Sequence, residues 1–238
     1  MRTCLFFHAH PDDESLLTAG LMARLAAEGN RVVLAVATAG EEGLAAPQAG
    51  PLGEVRVREL HRSAAILGCA RVVLLGYRDS GLDGSAPGGF ASAPVAEAAR
   101  RLADVLEQED ADLLTIYDAA GGYGHPDHVQ VHRVGIEAAR LAGTPLVLEA
   151  TADRDRILRW MRPFLRVPPL GQWRRAYTPG SEITHRVDVR RYARVKRASM
   201  AAHATQAGGG LRTLGVCRRL PMSLFRAVFG TEYYVRRP

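Results

Sequence analysis

The stretch HAHPDDE (8–14) sets His8, His10, Asp12, Asp13 and Glu14 directly behind an apolar run, and GHPDH (124–128) repeats the mixture later in the chain. Water solvates carboxylates far better than a protein interior does, so a fold that gathers several must offset their repulsion. A divalent cation does so. His10 and Asp13 stand three apart across an expected strand-to-helix turn, and His128 opens an expected helix. Two imidazoles and one carboxylate with an open coordination position make a common catalytic zinc site. The same donors suit ferrous iron, and residue types alone do not choose between the two. His132, four residues after His128, and His8, on the strand face of His10, compete as ligands. We take His10, Asp13 and His128 as the metal set, and His61 and His185 as surface or packing residues.

Asp12 projects differently from Asp13 and is placed to take a proton from water, whose pKa a bound metal lowers toward ~7. Helix capping is the competing account of PDDE, because an acid at a helix N-terminus satisfies free N–H groups and complements the dipole. Capping explains one acid, and Glu14 can fill that role. It explains neither His10 nor the second cluster. In that cluster Gly121, Gly122 and Gly124 let the backbone approach a ligand closely. His125 and Asp127 suggest a protonated imidazole oriented by a carboxylate, suited to an oxyanion and then to a departing amine. The plain alternative is that the pair caps the following helix. Tyr123 offers a further hydrogen bond.

These residues need elements to position them. TCLFFHAH (3–10), RVVLAVAT (31–38), RVVLLG (71–76), DLLTIYD (112–118) and PLVLEAT (145–151) read as strands buried on both faces. Residues 14–29, 54–68, 93–108 and 127–143 carry apolar side chains at helical spacing, and Gly29, Gly68 and Gly143 stand where left-handed caps are wanted. Strand–helix alternation predicts an α/β fold with a mostly parallel sheet and helices on both faces, a Rossmann-like three-layer sandwich. Ligands of such sheets bind at the carboxyl ends of the strands. HAHPDDE, TAGEEG, GYRDSG and YDAAGGYGHPDH follow the first four strands, so all four polar loops converge on one edge.

Beyond residue 152 the alternation loosens. We expect one domain over 1–238, with a core of 1–152 and a C-terminal segment, 153–238, packed on the sheet and shaping the pocket. Within that segment 183–189 reads as a strand and 190–206 as a helix stopped by Gly208–Gly209–Gly210, while 79–94 reads as a mobile surface loop. RDRILRWMRPFLR (154–166) is read as a solvated basic face with Trp160, Phe164 and Leu165 turned inward, in preference to a helix lying on a membrane.

The chain has 238 residues, 47% hydrophobic and 24% charged, which is ordinary for a globular protein able to bury a sizeable core. Its net charge of +6 permits an anionic partner. Three scattered cysteines without a CxxC pair, Cys4, Cys69 and Cys217, argue against a disulfide framework or a thiolate zinc site, and Cys4 and Cys69 read as core residues. No apolar run approaches the ~18 residues of a membrane span, and MRTCLFF is too short for a signal peptide, so a cytoplasmic location is expected. GxGxxG after the first strand, GxxxxGK[ST] and GxSxG are all missing, which weighs against a nucleotide-binding module and a serine hydrolase. No aromatic-interleaved basic platform suggests nucleic acid as a partner.

HAHPDDESL together with YGHPDH resembles the LmbE/PIG-L superfamily of metal-dependent N-acetylglucosaminyl deacetylases. TAGEEG, GYRDSG and KRASMAAHATQ are similar to the branch that contains the mycothiol-pathway deacetylase and amidase, so the likeness spans most of the chain. The resemblance implies zinc on His10, Asp13 and His128, Asp12 as general base and His125 at the oxyanion. It further implies substrate contacts from Arg56 and, more loosely, from Asp79, Glu42, His203 and Gln206. The expected activity is zinc-dependent removal of an N-acetyl group from a glucosamine-containing small molecule. An amidase acting on a larger thiol conjugate or glycosylated natural product would use the same residues. A homo-oligomer is compatible with the sequence.

Overall fold

In the computed structural model, residues 1–43, 50–161, 174–207, 215 and 219–237 are described. Seven strands form one sheet in the order β3-β2-β1-β4-β5-β7-β6. β1 (Thr3–His8), β2 (Arg31–Thr38), β3 (Arg71–Tyr77), β4 (Leu113–Tyr117) and β5 (Leu146–Thr151) run parallel; β7 (Thr231–Arg237) is antiparallel to both β5 and β6 (His185–Asp188). The expected α/β fold with helices on both faces is what the chain adopts.

The period of two along β1 divides the core. Leu5 and Phe7 point to one face with Val33 and Ala35, where α4 (Val95–Gln108) and α5 (Pro126–Ala142) pack through Leu102, Leu106, Val131 and Val134. Cys4 and Phe6 point to the other with Val32 and Leu34, beneath α2 (Ala19–Ala27) and α3 (Leu52–Leu67) through Met22, Leu60 and Leu67. Two buried faces explain why β1 and β2 read as continuous apolar runs. β3 departs from that expectation: it is the sheet's edge, and Leu74 is 41% exposed. Gly29, Gly68 and Gly143 take φ of 82°, 79° and 67°, the left-handed caps expected of them.

The segment expected as one helix over 14–29 is two, α1 (Asp13–Leu17) and α2, broken at Thr18. Tertiary partners make the break. His8 Nε2 lies 2.9 Å from Thr18 Oγ1, and the Glu232 carboxylate on β7 accepts from Gly20 N and Leu21 N at 2.8 Å each, satisfying the free N–H groups of α2. The first strand likewise stops at His8 rather than at His10.

Residues 79–94, expected to be mobile, are tied down: Phe90 is buried against Phe7 and Tyr77, and Ala91 N donates to Ser80 Oγ. Residues 190–206 form a 3-10 turn followed by α7 (Ala193–Ala202) and α8 (Ala204–Ala207). The glycines expected to end that helix lie outside the described residues, as do Phe164, Leu165 and Cys217. α6 (Arg154–Met161) is amphipathic as expected, but Trp160 is 69% exposed rather than turned inward. Cys4 is buried and Cys69 half-buried. β7 and α9 (Met222–Phe229) had no expectation attached to them. No described helix is long and apolar enough to cross a membrane.

Candidate active site

The loops leaving β1 to β4 meet at the carboxyl edge of the sheet. The first turns sharply, with Asp12 at φ 105°, a left-handed conformation that costs energy in a non-glycine residue. Its surroundings hold it there. Asp12 N donates to Glu14 Oε2 at 3.0 Å, Ser15 Oγ donates to Asp12 O at 2.6 Å, and Arg56 NH2 reaches Asp12 Oδ1 at 3.1 Å. Arg56 is 4% exposed and also donates to the carbonyls of Gly40 and Pro11. A Cβ at Gly40 or Gly43 would collide with its guanidinium as it is held here, and Gly40 also takes φ 70°.

Within this frame Asp13 stands between two histidines. Its Oδ2 lies 3.3 Å from His10 Nδ1 and 3.3 Å from His128 Nε2. The other nitrogen of His10, Nε2, faces Asp127 Oδ2 at 3.0 Å and Asp79 Oδ1 at 3.4 Å. A histidine that donates Nε2–H to a carboxylate keeps Nδ1 free as a lone-pair donor, the arrangement common behind metal-bound imidazoles. His128 is stacked on Tyr117 with ring centroids 4.3 Å apart, and beyond the Asp13 contact at Nε2 neither of its buried nitrogens has a partner among the described residues. An unpartnered buried imidazole is costly unless something else occupies its lone pair. His10, His125 and His128 present nitrogens within 4.8 Å of one another, as His10, Asp79 and Asp127 present a nitrogen and two carboxylate oxygens. These donors fit a divalent metal.

The charges follow the same geometry. Burial would push His10 down, but Asp127, Asp13 and Asp79 around it raise it well above the usual imidazole value. Asp13 is held well below the carboxylate range, against its burial, by His128 and His10. Burial pushes Asp12 up to about 6, although Arg56 pulls the other way. Burial, with His10 and His128 beside it, lowers His125 to about 4.

Asp127 and His125 differ from their expected pairing. The carboxylate of Asp127 orients His10 and accepts from Ser80 N at 3.0 Å, while His125 caps α5, its Nδ1 accepting from Asp127 N at 3.2 Å. His125 is therefore a neutral ring protonated at Nε2, not an imidazolium held by Asp127. Tyr123 stands over the site, 44% exposed, with its ring 5.2 Å from that of His128.

Among the residues assigned to substrate, Asp79 sits behind His10 and also accepts from Gly81 N, and Glu42 pairs with Arg78 at 2.7 Å near the rim. Arg56 is a buried support for Asp12 that also holds the carbonyls of Gly40 and Pro11, and its Nε has no partner among the described residues. His203 is fully buried, its Nε2 2.6 Å from Glu14 Oε1, and Ser63 donates to that same oxygen. This places His203 behind the site and not on its open wall. Gln206 bonds Thr205 at 3.2 Å and lies nearly buried beside it. His8 is a satisfied core residue between Tyr117 and Thr18, and His132 Nδ1 faces Glu149 and the Tyr117 carbonyl, each at 3.1 Å. Glu14 does more than cap a helix: it is the buried counter-ion of His203.

Sequence reasoning missed Tyr117, Asp118, Tyr177 and Thr178. Asp118 accepts from Gly122 N at 2.9 Å and from the hydroxyls of Thr151 and Thr178, while Tyr177 N donates to Gly122 O at 2.7 Å. Together they fix the GGYG loop that carries Tyr123. For Asp118 the signal was its place in YDAAGG; Tyr177 and Thr178 carry none, being distant in sequence.

The PIG-L family, described as GlcNAc-PI de-N-acetylase, matches residues 5–139. A 1D-myo-inositol 2-acetamido-2-deoxy-alpha-D-glucopyranoside deacetylase of Thermomonospora curvata is 37% identical over 98% of this chain and 89% of that protein. The enzyme of the same name from Thermobifida fusca is 36% identical, over 98% and 92%. Among solved structures, a conserved protein from Thermus thermophilus matches in fold, with a TM-score of 0.68 and 21% identity over 100% of this chain and 95% of that one. Sequence, fold and the histidine–carboxylate cluster agree: the chain belongs to the PIG-L family of N-deacetylases.

Proposed function

We propose that this protein hydrolyses the N-acetyl group of a glucosamine-containing small molecule, the substrate class named for the Thermomonospora and Thermobifida relatives. The observation that carries this reading is the Asp13 carboxylate within 3.3 Å of both His10 and His128, with His128 Nδ1 left without any partner among the described residues. His10, Asp13 and His128 would hold the metal, which we take to be zinc because two imidazoles and a carboxylate with an open position suit hydrolysis, although the same donors accept ferrous iron. When bound, such an ion polarises the amide carbonyl and acidifies water.

The chain's own residues do the rest. Asp127 and Asp79 orient His10. Asp12 takes a proton from the attacking water; burial makes it more basic than a free carboxylate, and Arg56 fixes its direction. His125, protonated at Nε2, donates a hydrogen bond to the oxyanion and does so without a positive charge of its own. Tyr123 adds a donor at the mouth. The two free cysteines among the described residues suit a reducing, cytoplasmic setting.

The test is elemental analysis of purified protein beside a His128→Ala variant, with amine release from N-acetylglucosaminides followed with and without chelator. About one metal per chain, lost in the variant together with turnover, is the expected result. Undiminished turnover in His128→Ala would overturn the assignment.

A further inference from the structure

A cavity of about 420 Å³ opens directly on Asp13 and His128 and runs away from the polar loops of β2 and β3, toward β5, β7, α6 and α9. Leu16, Leu17, Ile157, Trp160, Val228 and Phe229 give it an apolar wall. Beyond the metal set and Tyr123, the polar side chains Thr151, Asp153, Arg156, Lys196, Glu232 and Tyr233 of its lining have partners within the protein. Thr151 Oγ1 donates to Asp118, and Asp153 Oδ1 accepts from Arg156 N at 3.0 Å. Arg156 donates to Tyr233 Oη at 2.9 Å and to Ala227 O at 2.8 Å. Lys196 Nζ is 2.6 Å from Glu232 Oε1. A sugar or polyol placed here would strip water from its hydroxyls and find these groups committed elsewhere, which disfavours binding. An alkyl or aryl chain would lose nothing.

Resting on the deacetylase reading, we infer that this cavity receives the acyl side of the scissile amide, and that the enzyme takes N-acyl chains longer than acetyl. The cavity begins at the metal-ligand residues, where the amide carbonyl must lie. An acyl chain starts at that carbonyl carbon, whereas an aglycone is separated from it by the amide nitrogen and the sugar ring. On the other flank the Glu42–Arg78 pair is solvent-exposed, so a sugar seated there exchanges hydrogen bonds without being stripped of its water. Sugar and acyl group thus fall on opposite sides of His10 and His128. The volume lies in the range of a small-molecule pocket and far exceeds what one methyl group fills.

Calorimetric binding of N-acetylglucosamine, N-octanoylglucosamine and octyl N-acetylglucosaminide to the purified protein, freed of metal by chelator, tests this without turnover. The octanoyl amide should bind on the order of 100-fold tighter than the acetyl amide, since each enclosed methylene adds to affinity. Ile157→Glu and Val228→Arg, both on partly exposed positions that tolerate a polar side chain, should bring that ratio toward one, with folding checked by circular dichroism. Equal affinities for the two amides in the wild type would overturn the inference. So would a gain confined to the octyl aglycone, which would place the chain on the sugar side. Amine release from the same compounds, with zinc supplied, is read separately. Absence of release from all of them would remove the deacetylase reading and with it the acyl assignment, even if a chain bound.

Discussion

Arg56 and Asp12 meet at 3.1 Å across the mouth of two loops, the guanidinium almost wholly buried and the carboxylate on a backbone held at φ 105°. The contact couples the strained turn after β1 to the helix after β2. Asp12→Asn keeps the shape and removes the basic oxygen, so metal content should stay near wild type while turnover falls by ~10²–10⁴. Arg56→Met should instead cost stability, roughly 3 kcal/mol in a denaturant titration, because it strands two carbonyls and a carboxylate. Equal losses of stability in both variants would contradict the division of labour.

In the proposed site Asp127 would act on a bound metal through His10, whose Nε2 it faces at 3.0 Å. Asp127→Asn should weaken metal affinity by ~10–100-fold in a chelator competition while the fold persists. Unchanged affinity would show that the 3.0 Å contact does not orient the ligand.

Metal removal should also be visible in stability. A ligand that binds the native state alone raises the unfolding midpoint by mass action, and the ring nitrogens of His128 have no partner but Asp13 among the described residues. Dialysis against a chelator should lower the thermal midpoint, and stoichiometric zinc should restore it. In His128→Ala the zinc-dependent increment should vanish.

Far from the site, Glu109 joins the starts of β2 and β3 through Arg31 at 2.6 Å and Arg71 at 2.7 Å. Its hydrogen bond with Arg31, then with Arg71, keeps the carboxyl below its usual value despite burial. A carboxyl depressed in the folded state stabilises it above the unfolded pKa and loses that contribution as pH falls through the folded one. Glu109→Gln should therefore cost about 1 kcal/mol near neutrality, modest because both arginines are solvated. The difference from wild type should close in acid, below the ordinary carboxylate range. A difference that grew on acidification would reverse the sign.

Burial pushes the Cys69 thiol up to about 12 and the Cys4 thiol up to about 11. Thiolate is the reacting species, so iodoacetamide at pH ~8 should leave both unmodified in the native protein and label both after denaturation, as mapped by peptide mass spectrometry.

HAHPDDE and GHPDH announced the site because a short motif keeps its members close whatever the rest of the chain does. The parallel strands were legible for a related reason: two buried faces demand the apolar runs seen in LFF and VVLAVA. From those two facts follows the convergence of four polar loops on one edge. β7 was not legible. TEYYVRR is short and polar-flanked, and it becomes a strand through its antiparallel partners, β5 and β6.

Partnership between distant residues is what tertiary structure alone decided. Asp127 turns to His10 and not to its neighbour His125 because α5 carries it toward the loop after β3. Glu14 takes His203 as counter-ion across 189 positions, and Glu232 splits the first helix from 212 away. The sequence by itself determined which donors a metal would find and on which edge of the sheet, through local spacing and hydrophobic period. Which carboxylate orients which histidine, and which flank of the metal set is apolar, depend on packing between segments remote in sequence, and no local pattern encodes that.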